Sequence, residues 1–272
     1  MLKNKNKMRS SRVRNLNSSG STLGLGSIWG SIQSIQSPPY LYGTATSKDF
    51  KNVIKDTDPS TFISTTFKGQ YIRRMFDRRT DSFNYVYAYL FNAEYEKNGL
   101  TIEIQVNPEF SQDVASSYAR QYANEIGKLP IALRRDVRTV WIHNGDNPFG
   151  GGNNNLLIHV KQGDNYIRDG ILEEILIHEA CHTSIDSYKT NINWIDAQKK
   201  DNAYISTYAG RECGGREDIA ESFLAYFAVT YRKDRITQET YDTIKRIIQN
   251  RINFFDSLNL DMFPYKKSPL NI

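Results

Sequence analysis

The segment Ile175-Leu176-Ile177-His178-Glu179-Ala180-Cys181-His182 constrains this chain more than any other. Its isoleucines and leucine, with Ile171 and Leu172 before them, place apolar side chains around the site, so a helix here belongs inside the protein. Residues four apart share a helix face, which brings His178 and His182 together with Glu179 one position along. Buried imidazoles need partners, and a single metal ion satisfies both. His-Glu-x-x-His on one helix is the arrangement of zinc hydrolases, with two ligands and a carboxylate able to reach a metal-bound water.

Catalytic zinc takes three protein ligands and a water. The metzincin spacing would put a histidine at 188, where Tyr188 stands, and that class is excluded. The other common choice is a carboxylate on a later helix. Arg216-Glu217-Asp218-Ile219-Ala220-Glu221-Ser222-Phe223 opens a strong one, with Glu217 and Glu221 again four apart. One can bind the metal while the other takes a histidine N–H. Spacing does not choose between them, and Glu212 is a further candidate. Acids in a first helical turn also suit the helix dipole, which accounts for Glu217 and Asp218 better than for Glu221, a turn deeper beside Phe223, Leu224 and Phe227. Cys181 reads as a small buried thiol, and a bond to Cys213 cannot be inferred from sequence. His143 and His159 read as hydrogen-bonded strand residues, His159 with a reservation for the border of a substrate groove.

The net charge of +5 on 272 residues suggests a polyanion partner, but its distribution does not. Lys3, Lys5, Lys7, Arg9, Arg12 and Arg14 give residues 1–47 a charge of +6 with no acid, which leaves −1 for the remainder. Residues 1–38, rich in Asn, Ser and Gly, are expected to be a disordered basic tail, and 39–272 one domain. The arm has no aromatic interleaving beyond Trp29 and no basic helix extends it, which argues against nucleic-acid binding. No apolar run reaches the roughly 18 residues of a membrane span. The first 30 residues lack the continuous apolar stretch of a signal peptide, so the expectation is a cytoplasmic or non-classically secreted protein of unspecified oligomeric state.

Tyr85–Phe91 and Leu100–Val106 flank Asn98-Gly99 as a β-hairpin. Ser111–Ile126 reads as a helix capped by Ser111, Thr139–His143 and Leu156–Val160 as strands, and the glycine-rich 149–155 between them as a mobile turn beside the site. From Gly170 the pattern is helical: Ile171–Ser187, Lys199–Tyr208, Arg216–Tyr231 and Thr237–Leu258. A strand-rich N-terminal half and a helical C-terminal half make the expected class α+β.

His178-Glu179-Ala180-Cys181-His182, Ser206-Thr207-Tyr208-Ala209-Gly210-Arg211 and Glu217-Asp218-Ile219-Ala220-Glu221-Ser222-Phe223 together resemble the catalytic domain of the anthrax lethal factor-like metallopeptidases, HExxH enzymes of the gluzincin type. In that family a Tyr-Gly segment precedes a Glu-x-x-Ala-Glu-x-Phe helix. The resemblance covers 170–231 and, as a terminal helix, 237–258; upstream only a strand-rich half corresponds. It implies a zincin-like metallopeptidase fold. It implies one zinc ion held by His178, His182 and Glu217, with Glu179 as general base. Tyr208 would donate a hydrogen bond in the transition state, and Glu221 would be the acid behind the ligands. The implied activity is that of a zinc-dependent endopeptidase on a peptide or protein substrate, with an extended chain pairing along an edge strand, Leu156–Val160. The toxin's own substrates are not carried over. The alternative is a catalytically inactive zinc-binding interaction domain, against which Glu179 argues, since a structural site needs no base beside its ligands.

Overall fold

Alternating bulky side chains build the first half of the molecule. β1 (Phe62–Asp77) and β2 (Ser82–Tyr95) form a long antiparallel hairpin, and β3 (Thr101–Val106) pairs antiparallel with β2. α1 (Gln112–Gly127) and α2 (Ile131–Arg134) lead to β4 (Thr139–His143), which runs parallel to β3. β5 (Gly150–Gly152) pairs antiparallel with β6 (Asn155–His159), itself parallel to β4, and the sheet order is β1-β2-β3-β4-β6-β5. α3 (Val160–Asp169), α4 (Leu172–Ser184), α5 (Ile192–Asp201), α6 (Arg216–Tyr231) and α7 (Gln238–Ser257) follow. The protein is mixed α/β, with a six-stranded mixed sheet and seven α-helices among the described residues. This computed structural model describes residues 40–268 except 42, 48–49, 97–98 and 212–214. The basic arm, Asn98, Glu212 and Cys213 lie outside them. None of the described helices is long and apolar enough to cross a membrane.

The strands do precede most helices, but β3, β4 and β6 run parallel. Parallel neighbours need a crossover, and α1 with α2 forms the one between β3 and β4. The hairpin expected around 98–99 is the β2–β3 pair, and Ser111 caps α1, its hydroxyl accepting from Val114 N at 3.4 Å. Three expectations change. The helix expected at 199–208 lies at Ile192–Asp201, where Asn191 accepts from Asn193 N at 2.9 Å to start it and Asn202, at φ 50°, ends it. α3 was missed because only Val160 and Gly163 are buried, too little for a readable apolar stripe. The glycine run read as a turn is strand β5, followed by a two-residue turn with Asn153 and Asn154 at φ 51° and 60°. Leu156–Val160 is therefore not the edge: β5 covers β6 and is itself the edge strand.

The helical half is pinned by Arg251, which is fully buried. Its Nε and Nη2 donate to Asp218 Oδ2 at 3.1 and 3.0 Å, and Nη1 to Asp201 Oδ2 at 2.9 Å. α7 leaves helical geometry at Ile248 (φ −127°), and the N–H groups of Asn250 and Arg251 turn to the Asp201 carboxylate at 2.8 and 3.1 Å. One aspartate thus ends α5, caps the second half of α7 and neutralises the arginine that holds the start of α6.

Arg251→Met strands two buried carboxylates and should lower unfolding stability by about 3–5 kcal/mol in urea titrations; a loss under about 1 kcal/mol would show that the pair is solvated. Glu174 supplies a pH-dependent counterpart. It is fully buried at the start of α4, accepts from Ile54 N at 3.1 Å, and burial pushes its carboxyl up to about 8. Protonated when folded and titrating near 4.5 when unfolded, it favours folding at low pH, a benefit lost as pH climbs to about 8. Glu174→Gln should match wild type at about pH 5 and exceed it at about pH 9, by a gap growing at up to about 1.4 kcal/mol per pH unit between.

Candidate metal centre

α4 and α6 each present an i, i+4 pair of polar side chains, and packing places the pairs opposite one another. His178 and His182 are only 6% and 7% exposed, and the rest of their helix is core, with Leu176, Ile177, Ala180 and Cys181 fully buried. His178 Nε2 lies 3.1 Å from Glu217 Oε2 and 3.2 Å from His182 Nε2, and the third side of this triangle, His182 Nε2 to Glu217 Oε2, is 3.4 Å. Tetrahedral zinc, bound at about 2.0–2.1 Å, spaces its ligand atoms about 3.3 Å apart. The triangle therefore fits three corners of such a tetrahedron. Among the described residues no other group of three His, Cys, Asp or Glu side chains converges in this way.

The far nitrogens of both imidazoles face carboxylates. His178 Nδ1 is 3.1 Å from Glu221 Oε1, a charge contact too bent to be a hydrogen bond, and His182 Nδ1 is 3.1 Å from Asp186 Oδ1. Arg216 Nε lies 3.2 Å from that same His182 nitrogen and 3.1 Å from Asp186 Oδ2. Arg216 Nε is the donor in its contact with Nδ1, and it is ion-paired with the Asp186 carboxylate beside the ring. Asp186 was missed in the sequence, although it stands four residues after His182 at the helical spacing that identified the other pairs.

The two glutamates are not equivalent. Glu221 is fully buried and its carboxylate is saturated: Thr44 Oγ1 donates to Oε1 at 2.6 Å, and Ala45 N and Ser206 Oγ to Oε2 at 2.5 and 2.6 Å. Glu217, with 17% of its side chain exposed, meets only the two imidazoles among the described residues. Burial disfavours charge throughout, yet the opposite charges outweigh it. Glu217 and Glu221 push His178 up to about 10, Asp186 and Glu217 raise His182, and the histidines hold Glu217 well below the usual carboxylate range. A field that retains protons on two imidazoles equally favours a metal cation in their place.

Tyr208 comes to the same place by a route the sequence did not reveal. Residues 41 and 43 pair with 205–208: Leu41 N donates to Ile205 O at 2.9 Å, Thr207 N to Leu41 O at 2.9 Å, and Tyr208 N to Gly43 O at 2.8 Å. This backbone pairing keeps Tyr204–Tyr208 out of a helix and sets the Tyr208 ring 5.9 Å from that of His178. Burial first, then the charges of Glu217 and Glu179, push the Tyr208 phenol up to about 12, so it keeps its proton and remains a donor. Glu179, half-buried, follows His178 on α4, and β5 lies directly on its backbone: a Cβ on Gly151 would overlap the Glu179 carbonyl. Arg216 Nη2 donates to Gly151 O at 3.1 Å and ties the same strand to α6.

The remaining histidines stay apart. His143 and His159 stack at 5.7 Å on β4 and β6, and both are fully buried, so His159 borders no groove. Burial takes His143 down to about 4. Cys181 is a buried free thiol whose pairing with Cys213 lies outside the described residues.

In zinc titrations against a competing chelator, Glu221→Gln should weaken binding by about 10–100-fold through the loss of His178 orientation, and Glu217→Ala should weaken it further. If Glu217→Ala keeps wild-type affinity while Glu221→Gln loses it, the two acids have exchanged roles. Comparisons with protein-family models, curated proteins and solved structures found no match to this chain.

Proposed function

We propose that the protein is a zinc-dependent endopeptidase of zincin-like fold, with one zinc ion held by His178, His182 and Glu217. The observation that carries this reading is the triangle of donor atoms at 3.1, 3.2 and 3.4 Å, with a carboxylate behind each imidazole. Zinc at such a site supplies a Lewis acid and brings the pKa of its water down to about 7.

The chain's own residues do the rest. Glu179 lies beside the ligands without being one of them. Its carboxylate takes the proton of the attacking water and returns it to the leaving amine, as a general base and then acid. The Tyr208 phenol, protonated because burial and nearby carboxylates raise it, donates to the oxygen that gains charge as the carbonyl is attacked. Glu221 and Asp186 place a carboxylate behind each imidazole and so hold the rings in position. As the edge strand in place of Leu156–Val160, β5 is where an extended substrate would pair, beside the bonds that Arg216 Nη2 makes to Gly151 O and Gly152 N makes to Thr183 Oγ1.

Glu179→Gln should retain zinc and lower cleavage of a peptide library by about 10²–10⁴-fold. Tyr208→Phe should retain zinc and lose about 10²–10³-fold in turnover, the usual effect of removing one oxyanion donor. Zinc bound at one equivalent in wild type and Glu179→Gln, with cleavage by neither, would overturn the peptidase reading in favour of a silent zinc-binding domain.

A further inference from the structure

β5 consists of three glycines, and the space around them shows what lies on its two faces. Successive residues of a strand point to opposite faces of the sheet. A Cβ on Gly151 would run into the Glu179 backbone, so that face lies on α4. A Cβ on Gly150, pointing the other way, would come 2.7 Å from Arg78 Nη2. The Arg78 guanidinium therefore sits over the edge strand on the face away from α4, delivered there by the turn that joins β1 to β2.

Its neighbour is fully employed: Arg79 holds Asp77 at 2.8 Å and Glu109 at 2.8 Å. Arg78 is half-buried and has no hydrogen bond or ion pair among the described residues. A guanidinium carries five donors and never gives up its charge, so partial burial without an anion leaves an unmet demand. Arg78 is on the face away from α4, yet close enough to the site to share a neighbour with Glu179. Its charge and that of Glu179 both act on the Tyr166 hydroxyl, from a ring that packs on Phe149, the residue before β5.

We propose that Arg78 determines substrate specificity by pairing with an Asp or Glu side chain of a peptide extended along β5, so that the preferred substrates are acidic peptides. This rests on the peptidase reading above. Side chains of an extended peptide alternate between the faces of the sheet it joins. Only those on the Arg78 face meet the guanidinium, and the preference belongs to one position near the cleaved bond rather than to overall charge. Arginine suits the task because its planar fork matches a carboxylate with two parallel hydrogen bonds.

The test uses the zinc-loaded full chain and quenched-fluorescent peptides carrying Glu, Gln or Lys at each of six positions around the cleavage point. Wild type should cleave the Glu peptide about 10–100-fold faster than its Gln isostere, in kcat/KM, at one position. Arg78→Ala should close that gap, Arg78→Lys should keep part of it, and Arg78→Glu should turn the preference toward Lys; zinc content and circular dichroism identify variants that fail to fold. A wild type without a Glu preference at any position, or a preference that survives Arg78→Ala, overturns the proposal. A second arm measures anisotropy of labelled Glu-rich and Gln-rich peptides on zinc-loaded Glu179→Gln, with and without Arg78→Ala. If wild type cleaves nothing, the peptidase reading falls; if the Glu-rich peptide binds no better than the Gln-rich one, or equally well without Arg78, the Arg78 assignment falls on its own.

Discussion

Two imidazoles on a helix that is almost all core impose a demand the rest of the fold is arranged to meet. Each ring has two polar nitrogens, and at 6% and 7% exposure neither His178 nor His182 can leave them to water. Three carboxylates close on them: Glu217 on the two inner nitrogens, Glu221 and Asp186 on the two outer ones. Burying any one of these charges alone would be costly. Buried together, they hold one another ionised and create a pocket of net negative field, which a proton or a divalent cation can neutralise.

Such a cluster is stable only if its supports are rigid, and they come from distant parts of the chain. α6 carries Glu217 and Glu221, and its first turn is held through Asp218 by Arg251 of α7 and by Gln198 Nε2 of α5 at 2.7 Å. Glu221 is held by Thr44 and Ala45, and the segment containing them also fixes the backbone of Tyr208. Residues 40–46 are thus structural partners of both a carboxylate and a phenol at the centre, although they lie more than 130 positions from either histidine.

What could be read in the sequence follows from this division. His178, His182, Glu217 and Glu221 are legible because helical periodicity is local: a spacing of four places each pair on one face without knowledge of the fold. The choice between Glu217 and Glu221 was not legible from spacing, because it depends on Thr44, Ala45 and Ser206 saturating one of the two carboxylates. Helices with a wide apolar face, α6 and α7, keep their expected bounds, whereas α3, with two buried residues, does not show. The non-helical course of Tyr204–Tyr208 was hidden for a related reason. It is set by non-local backbone partners at Leu41 and Gly43, and no local propensity records that.

The glycine run 150–152 shows how a local reading inverts when packing is known. In isolation three glycines signal a loop, since glycine is the residue that most weakens a strand. Here their lack of side chains is what makes the strand possible. Gly151 must lie against the α4 backbone at Glu179, where even a methyl group would overlap, and Gly150 has the Arg78 guanidinium on the opposite face. The strand therefore approaches the α4 main chain at Glu179 more closely than a residue with a side chain allows. β5 itself contributes no side chains to that edge. On the face away from α4, the Arg78 guanidinium lies beside Gly150.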